Sequence, residues 1–237
     1  MFRAMSIKDI FPIDNWNFKS EAVFADLPED DFNMLMAHKT EQLYKKGEMI
    51  FREGMYPAGI FYISSGKAKK YKVDKEGKEQ ILYVANMGEL LGFQPVLSHE
   101  RHTYSAATLE ESRIIFIPKE DFLNAIEHSH VLSKRLLKTL SHEFAVLANS
   151  LSMLAQKSVR ERLALQLIVL REKYKTNTPP GRPVEINMSR DDLAGIVSTA
   201  RENVVRLLRE FKDAGIISTQ GRKIIVNDVN KLIQIAN

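Results

Sequence analysis

Arg201, Glu202 and Arg206 stand in one run, Arg201-Glu202-Asn203-Val204-Val205-Arg206-Leu207-Leu208, whose apolar residues recur at helical spacing. With Val204, Leu207, Leu208 and Phe211 turned inward on three- and four-residue steps, the two arginines and the glutamate lie towards the first turns of the opposite surface. A guanidinium can donate two hydrogen bonds to guanine O6 and N7, and a carboxylate can accept one from cytosine N4, so this constellation suits the reading of base edges in duplex DNA. Near it in sequence lie Ser189, Thr199, Arg209, Lys212, Arg222 and Lys223, side chains suited to phosphate oxygens, contacts that position a protein without reading sequence. For any one of these charges the competing reading is a solvated helix face laced with Arg-Glu pairs. Concentration favours the first reading: two arginines and an acid at the front of one helix, with further basic residues close behind.

The bulk charge agrees. Residues 1–156 carry 19 Lys and Arg against 21 Asp and Glu, whereas residues 157–237 carry 15 against 9, so the formal net charge of +4 conceals a last third at +6. Such a segment favours phosphate contact with counterion release, although an anionic membrane surface would attract it too. The chain has no cysteine, which excludes disulfides, thiolate zinc sites, cysteine-held iron–sulfur clusters and a cysteine nucleophile. No nucleophile, base and acid stand in a recognisable arrangement, so no catalytic residue is expected. His99, His102, His128, His130 and His142 stand singly in polar surroundings and read as solvated; His99-Glu100-Arg101-His102 has no coherent third ligand, so neither metal nor cofactor is expected. Ser65-Gly66-Lys67-Ala68 lacks the first glycine of a phosphate loop and reads as a hairpin turn. No apolar run approaches bilayer-spanning length and the first residues lack a signal-peptide core, so the expectation is a soluble cytoplasmic chain with no membrane partner.

These residues need a scaffold, and the period of the apolar pattern supplies it. At 237 residues, 44% hydrophobic and 27% charged, the chain is long enough for two modest domains. Residues 27–38 read as a short helix with Pro28 in its first turn. From Gln42 to Pro118 short apolar runs (Met49-Ile50-Phe51, Ile60-Phe61-Tyr62-Ile63, Ile81-Leu82-Tyr83-Val84, Ile114-Ile115-Phe116-Ile117) alternate with glycine turns, the pattern of an antiparallel barrel or roll. Helical periodicity returns over residues 119–127 and strongly over 131–155. There Leu137, Leu140, Phe144, Leu147, Leu151 and Leu154 follow spacings of three, four, three, four and three, a seam narrow enough to predict a coiled-coil partner and hence a homodimer. A helix over residues 159–173 follows, broken by Thr176-Asn177-Thr178-Pro179-Pro180-Gly181-Arg182-Pro183. Then come a strand candidate, Val184-Glu185-Ile186, and two helices in quick succession. Ser189 caps the first with Asp192 as partner, Thr199-Ala200-Arg201-Glu202 fits a capping box for the second, and small Ala194 lies where they cross. Residues 215–226 read as a hairpin turning at Gln220-Gly221, a wing edged by Arg222 and Lys223. The fold class is therefore α+β: an N-terminal antiparallel β-roll (residues 1–118), connecting and dimerisation helices (119–156) and a C-terminal winged helix-turn-helix (157–237).

With these pieces in this order, the chain resembles the family of the cyclic-AMP receptor protein and the fumarate and nitrate reduction regulator (CRP/FNR) from about residue 24 to residue 226. The most specific match is Arg201-Glu202-Asn203-Val204-Val205-Arg206-Leu207-Leu208, followed by Ala214-Gly215-Ile216-Ile217. The resemblance implies a transcription regulator in which Arg201, Glu202 and Arg206 read a half-site similar to TGTGA, on a two-fold operator, with RNA polymerase a further partner if it activates. Ser198 departs from the glycine common in that turn.

The family's cyclic-nucleotide cassette pairs a Gly-Glu with the ribose and an Arg-Ser with the phosphate. This chain aligns Gly92-Phe93-Gln94 and Thr103-Tyr104 there, so neither charged residue is present, and Leu147 and Ala148 replace the hydroxylated positions that meet adenine. Without the arginine a buried cyclic phosphate loses its charge-assisted partner. Arg101 lies near the vacated position and could reach a phosphate from a shifted loop. The implied effector is a small molecule other than cyclic AMP, unidentified, meeting Phe93, Gln94, Thr103 and Tyr104. The alternative is a sensor module that binds a cyclic nucleotide or another small molecule and whose helix-turn-helix selects no sequence.

Overall fold

The computed structural model describes residues 7–18, 20, 23–176, 178–179 and 182–237. They form two compact units, Phe18–Phe144, and Ala145–Asn237 with residues 7–17.

In the first unit, helix α1 (Glu29–Leu35) is shorter than its periodicity suggested. Pro28, expected in its first turn, is instead the extended residue before it, and Glu29, Asp30 and Asp31 occupy the first turn at the positive end of the helix dipole. The strands follow: β1 (Thr40–Tyr44), β2 (Met49–Phe51), β3 (Gly59–Ser65), β4 (Lys67–Val73), β5 (Glu79–Asn86) and β6 (Leu90–Leu91), then helix α2 (Phe93–Ser98), β7 (Ser105–Thr108) and β8 (Ser112–Pro118). They make two four-stranded antiparallel sheets, ordered β1-β8-β3-β6 and β2-β7-β4-β5, so every alternating run listed above became a strand of the roll. Ser65-Gly66-Lys67 is the β3–β4 turn. Gly66 adopts φ 89°, and a Cβ there would sit 2.2 Å from Ser112 Oγ, so no other residue fits.

Helices α3 (Lys119–His128) and α4 (His130–Gln156) complete the helical layer. An apolar core joins Leu35 of α1, Ile60 of β3, Phe93 and Val96 of α2, Ile117 of β8, Phe122 and Ala125 of α3, and Leu132 and Leu136 of α4. Arg135 of α4 donates to the carbonyls of Val23, Ala25 and Asp26, holding the approach to α1. Along α4 the buried positions Leu132, Leu136, Thr139, Glu143, Val146 and Met153 form one stripe. The predicted seam is a different stripe: Leu137, Phe144, Leu147 and Leu151 are exposed (67%, 75%, 49% and 71%), while Leu140 and Leu154 are half-buried.

In the second unit, α5 (Val159–Lys175) starts at a complete capping box between Ser158 and Glu161 and buries Leu163, Leu167, Ile168 and Leu170. The predicted break after it includes Asn177, Pro180 and Gly181, which lie outside the described residues. Beyond it come β9 (Glu185–Asn187), α6 (Arg190–Val197), α7 (Arg201–Asp213), β10 (Ile217–Gln220) and β11 (Lys223–Val226), the strands ordered β10-β11-β9. A last helix, α8 (Val229–Ala236), lies beyond the elements read from sequence; Asp228 caps it, and it packs on α5 through Leu232 and Ala236.

Phe93, assigned above to an effector pocket, is fully buried in the apolar core. Gly92, with φ 74°, turns the chain so that the first ring of α2 enters the helical layer, where an apolar side chain is more stable than at a polar site. Phe93→Ala is therefore expected to lower the unfolding free energy by about 3–5 kcal/mol in urea denaturation.

Candidate nucleic-acid interface

The interface is built at the turn between α6 and α7. Helix α6 begins at Ser189, whose hydroxyl accepts from the Asp192 amide (3.0 Å) and donates to the Asp192 carboxylate (2.5 Å). It ends at Ser198, which adopts the left-handed φ 52°, ψ 61°. Without glycine the turn keeps the left-handed backbone and bears its strain, about 1–2 kcal/mol for an L-residue. Arg162 of α5 braces it: Nε donates to the Val197 carbonyl (2.9 Å), Nη2 to that of Ser198 (3.4 Å) and Nη1 to that of Lys157 (2.8 Å).

The cap of α7 differs from expectation. The helix starts at Arg201 with Ala200 before it and no side-chain cap, so Thr199 is one residue too early to serve. Its hydroxyl accepts instead from Asn203 Nδ2 (3.1 Å), and the residue is almost wholly enclosed. Val204, Leu207, Leu208 and Phe211 are buried as their spacing requires, and Arg201, Glu202, Arg206, Arg209 and Lys212 are exposed. Glu202, Arg206 and Arg209 fall at i, i+4 and i+7 and share the outer face. Arg201 lies at the edge, its Nε 3.4 Å from Asp191 of α6, a solvent-exposed pair of small energy.

The predicted hairpin is present, turning at Gly221-Arg222. Arg190, which the sequence reading left out, holds it: Nη2 donates to the Gly221 carbonyl (3.1 Å) and Nη1 to that of Arg222 (3.3 Å). Burial lowers the pKa of that guanidinium from its ordinary value, the cost of using a cation as a brace. Lys223 is tied to Glu185 of β9 (2.6 Å), whereas the Arg222 side chain is exposed. Of the proposed phosphate residues, Arg209, Lys212 and Arg222 are exposed, Arg209 with a long 3.9 Å pair to Asp213, while the hydroxyls of Ser189 and Thr199 and the ammonium of Lys223 have partners within the fold.

The roll carries a polar cluster of its own. Tyr104 Oη donates to Gln94 Oε1 (3.1 Å), and Gln94 Nε2 donates to Glu143 of α4 (2.8 Å). Two of the four residues assigned to the effector are therefore joined, and Thr103 points to solvent. The Lys70 ammonium lies 4.9 Å from the Phe18 ring centroid and 5.5 Å from that of Tyr104. Burial alone would lower its pKa, but Tyr104, Glu143 and Glu89 together hold it above the ordinary lysine value. Glu143 is 3% exposed, and burial raises its pKa against the pull of Lys70 and the Gln94 hydrogen bond. Arg101 donates to the Gly54 carbonyl (2.8 Å) and stacks on Tyr56, so its head is engaged. His102, read as solvated, is buried and stacks on Phe51 at 4.0 Å, its pKa lowered by burial. Among the described residues no group of three His, Asp or Glu is placed to hold a metal ion, and no helix is long and apolar enough to cross a membrane.

Residues 41–129 match the cyclic nucleotide-binding domain family and residues 161–235 the Crp-like helix-turn-helix domain family. A roll of the first kind followed by a winged helix of the second defines a DNA-binding transcription regulator. The chain is 28% identical over 191 residues to the anaerobic regulatory protein of Haemophilus influenzae, covering 81% of this chain and 74% of that protein. It is 28% identical over 192 residues to the transcriptional activator protein Anr of Pseudomonas aeruginosa, covering 81% and 78%. Its fold is similar to that of FixK2 from Bradyrhizobium japonicum (TM-score 0.74, 22% identity, 84% of this chain and 98% of that one). The CRP/FNR-family regulator TTHA1359 from Thermus thermophilus is also similar (TM-score 0.70, 23% identity, 83% and 98%). The chain belongs to the CRP/FNR family of transcription regulators.

Folding favours the protonated form of Glu143, so its contribution is fully present below the ordinary value of 4.5 and is lost as pH rises through the raised folded value. Glu143→Gln, neutral throughout, is expected to melt increasingly above the parent protein as pH rises from 4.5, with the gap levelling once Glu143 ionises; a pH-independent gap would contradict this.

Proposed function

We propose that this chain is a homodimeric, sequence-specific regulator that reads a two-fold operator with a TGTGA-like half-site. The observation that carries this reading is the uncovered face of α7, where Glu202 and Arg206 point outward above four buried apolar side chains, with Arg201 beside them. Arg201 and Arg206 are assigned to guanine and Glu202 to cytosine. Arg209, Lys212 and Arg222 are the foremost phosphate contacts, with Ser189, Thr199 and Lys223 secondary because their polar heads have partners within the fold. The exposed seam of Leu137, Phe144, Leu147 and Leu151, flanked by Leu140 and Leu154, supports pairing of two α4 helices, with half-sites about 34 Å apart.

Within this reading residues 1–118 form the sensor, 119–156 the dimerisation helices and 157–237 the reading head. The protein works in the cytoplasm by binding rather than catalysis, and RNA polymerase is its partner where it activates. The effector is a small molecule other than cyclic AMP. The cyclic-phosphate arginine is missing, Tyr104 already donates to Gln94, and Gln94 donates to Glu143.

Selection of binding sites from random duplexes at moderate salt tests the reading: a two-fold consensus is expected, and no preference over random sequence would overturn it. Arg206→Ala should cost about 1–3 kcal/mol and relax one position of each half-site, whereas Arg222→Ala should weaken all sequences alike and reduce the salt slope by about 1. In sedimentation velocity Phe144→Glu, which changes an exposed side chain, should convert dimer to monomer; an unchanged sedimentation coefficient would remove the seam from the interface.

A further inference from the structure

Val205 is 45% exposed and is the one apolar residue among the exposed positions of α7; the others are Arg201, Glu202, Arg206, Arg209, Glu210, Lys212 and Asp213. Nothing about helix formation asks for it, since a β-branched side chain is a weaker helix former than the long polar residues around it. Its place is specific. It lies one turn beyond Arg201 and next to Arg206, and it lines an open groove with Leu208, Arg209, Lys212 and Asp213 of α7, Arg190 of α6 and Thr219 of the wing. Arg190 is occupied with the wing carbonyls and Asp213 stands 3.9 Å from Arg209, so Lys212 and the outer edge of Arg209 supply the positive charge beside a small apolar wall. That pairing suits a duplex, which presents phosphates at the edges of the major groove and one apolar feature within it, the thymine 5-methyl group.

We infer that Val205 determines specificity by packing against the methyl group of a thymine in each half-site. The inference rests on the DNA-reading assignment of α7 and adds to it a contact that no hydrogen bond supplies. Arg201, Glu202 and Arg206 identify G·C pairs through polar edges; Val205 identifies an A·T pair by shape and apolar contact.

The test removes the methyl group from the DNA. In the duplex selected by the parent protein, each symmetric pair of thymines is replaced in turn by deoxyuridine, which leaves every hydrogen-bonding group in place. Affinities are then measured by fluorescence anisotropy for the parent and for Val205→Ala, with thermal melting as the check on folding. One thymine pair should stand out. Its demethylation is expected to weaken the parent about threefold to fivefold per half-site, on the order of tenfold for the two-fold site, and to leave Val205→Ala almost unaffected. Equal losses in both proteins, with the consensus intact, would overturn the inference and leave the polar readout standing. Absence of any consensus would overturn both.

Discussion

Ser198 turns the chain with φ 52° and ψ 61°, and on that left-handed residue depends the short step by which α6 ends and α7 begins three residues later. The turn is not self-supporting, because an L-residue there is strained. Arg162 compensates by spreading one guanidinium over the carbonyls of Lys157, Val197 and Ser198, bonds that gain from their charge. With the turn fixed, burial of Val204, Leu207, Leu208 and Phe211 sets the rotation of α7 about its axis, and the charged residues between them face outward as a consequence. Arg190 does for the wing what Arg162 does for the turn. Two arginines thus hold backbone carbonyls, while Arg201, Arg206 and Arg209 stay on the exposed surface of α7.

The roll has followed a different course. It holds Lys70 of β4 among aromatic rings, with Glu143, Gln94 and Tyr104 linked in a chain of hydrogen bonds. This chain of contacts ties α2 of the roll to α4, the helix that carries the exposed seam. Glu143 lies between Leu140 and Phe144 in sequence, with its carboxylate turned inward while Phe144 faces out. A rotation of α4 that moved the seam would thus disturb a buried, hydrogen-bonded carboxylate, a costly displacement in a low-dielectric interior.

What was legible in the sequence is what depends on period and local chemistry. The alternating runs became strands of the roll, the stripe of α7 was buried as its spacing required, and Ser189 capped α6. What was not legible depends on contacts far apart in sequence or on which way a side chain points. Alignment gave Phe93 a position near a ligand but not its direction into the core, and solitary His102 carried no sign of the Phe51 ring that covers it. The capping box at Thr199 failed by one residue: Ala200 is at the cap, and the Thr199 hydroxyl accepts from the Asn203 side chain instead. Nothing in the sequence marks Arg162 and Arg190, because the carbonyls they hold come together only in the folded backbone. Val205 was hidden by its neighbour Val204: the pair of valines did not show which would stay outside, and only the folded helix leaves Val205 exposed while Val204 is buried.

Two copies of α7 reading one duplex together, as proposed, fix the spacing between half-sites. Sedimentation equilibrium on a duplex carrying the selected two-fold site, and on one with a half-turn of DNA inserted between its halves, compares the two geometries. Two protomers per duplex on the first, and loss of tight binding on the second, are expected because insertion rotates the half-sites onto opposite faces. One protomer per duplex, with affinity indifferent to the insertion, would contradict it.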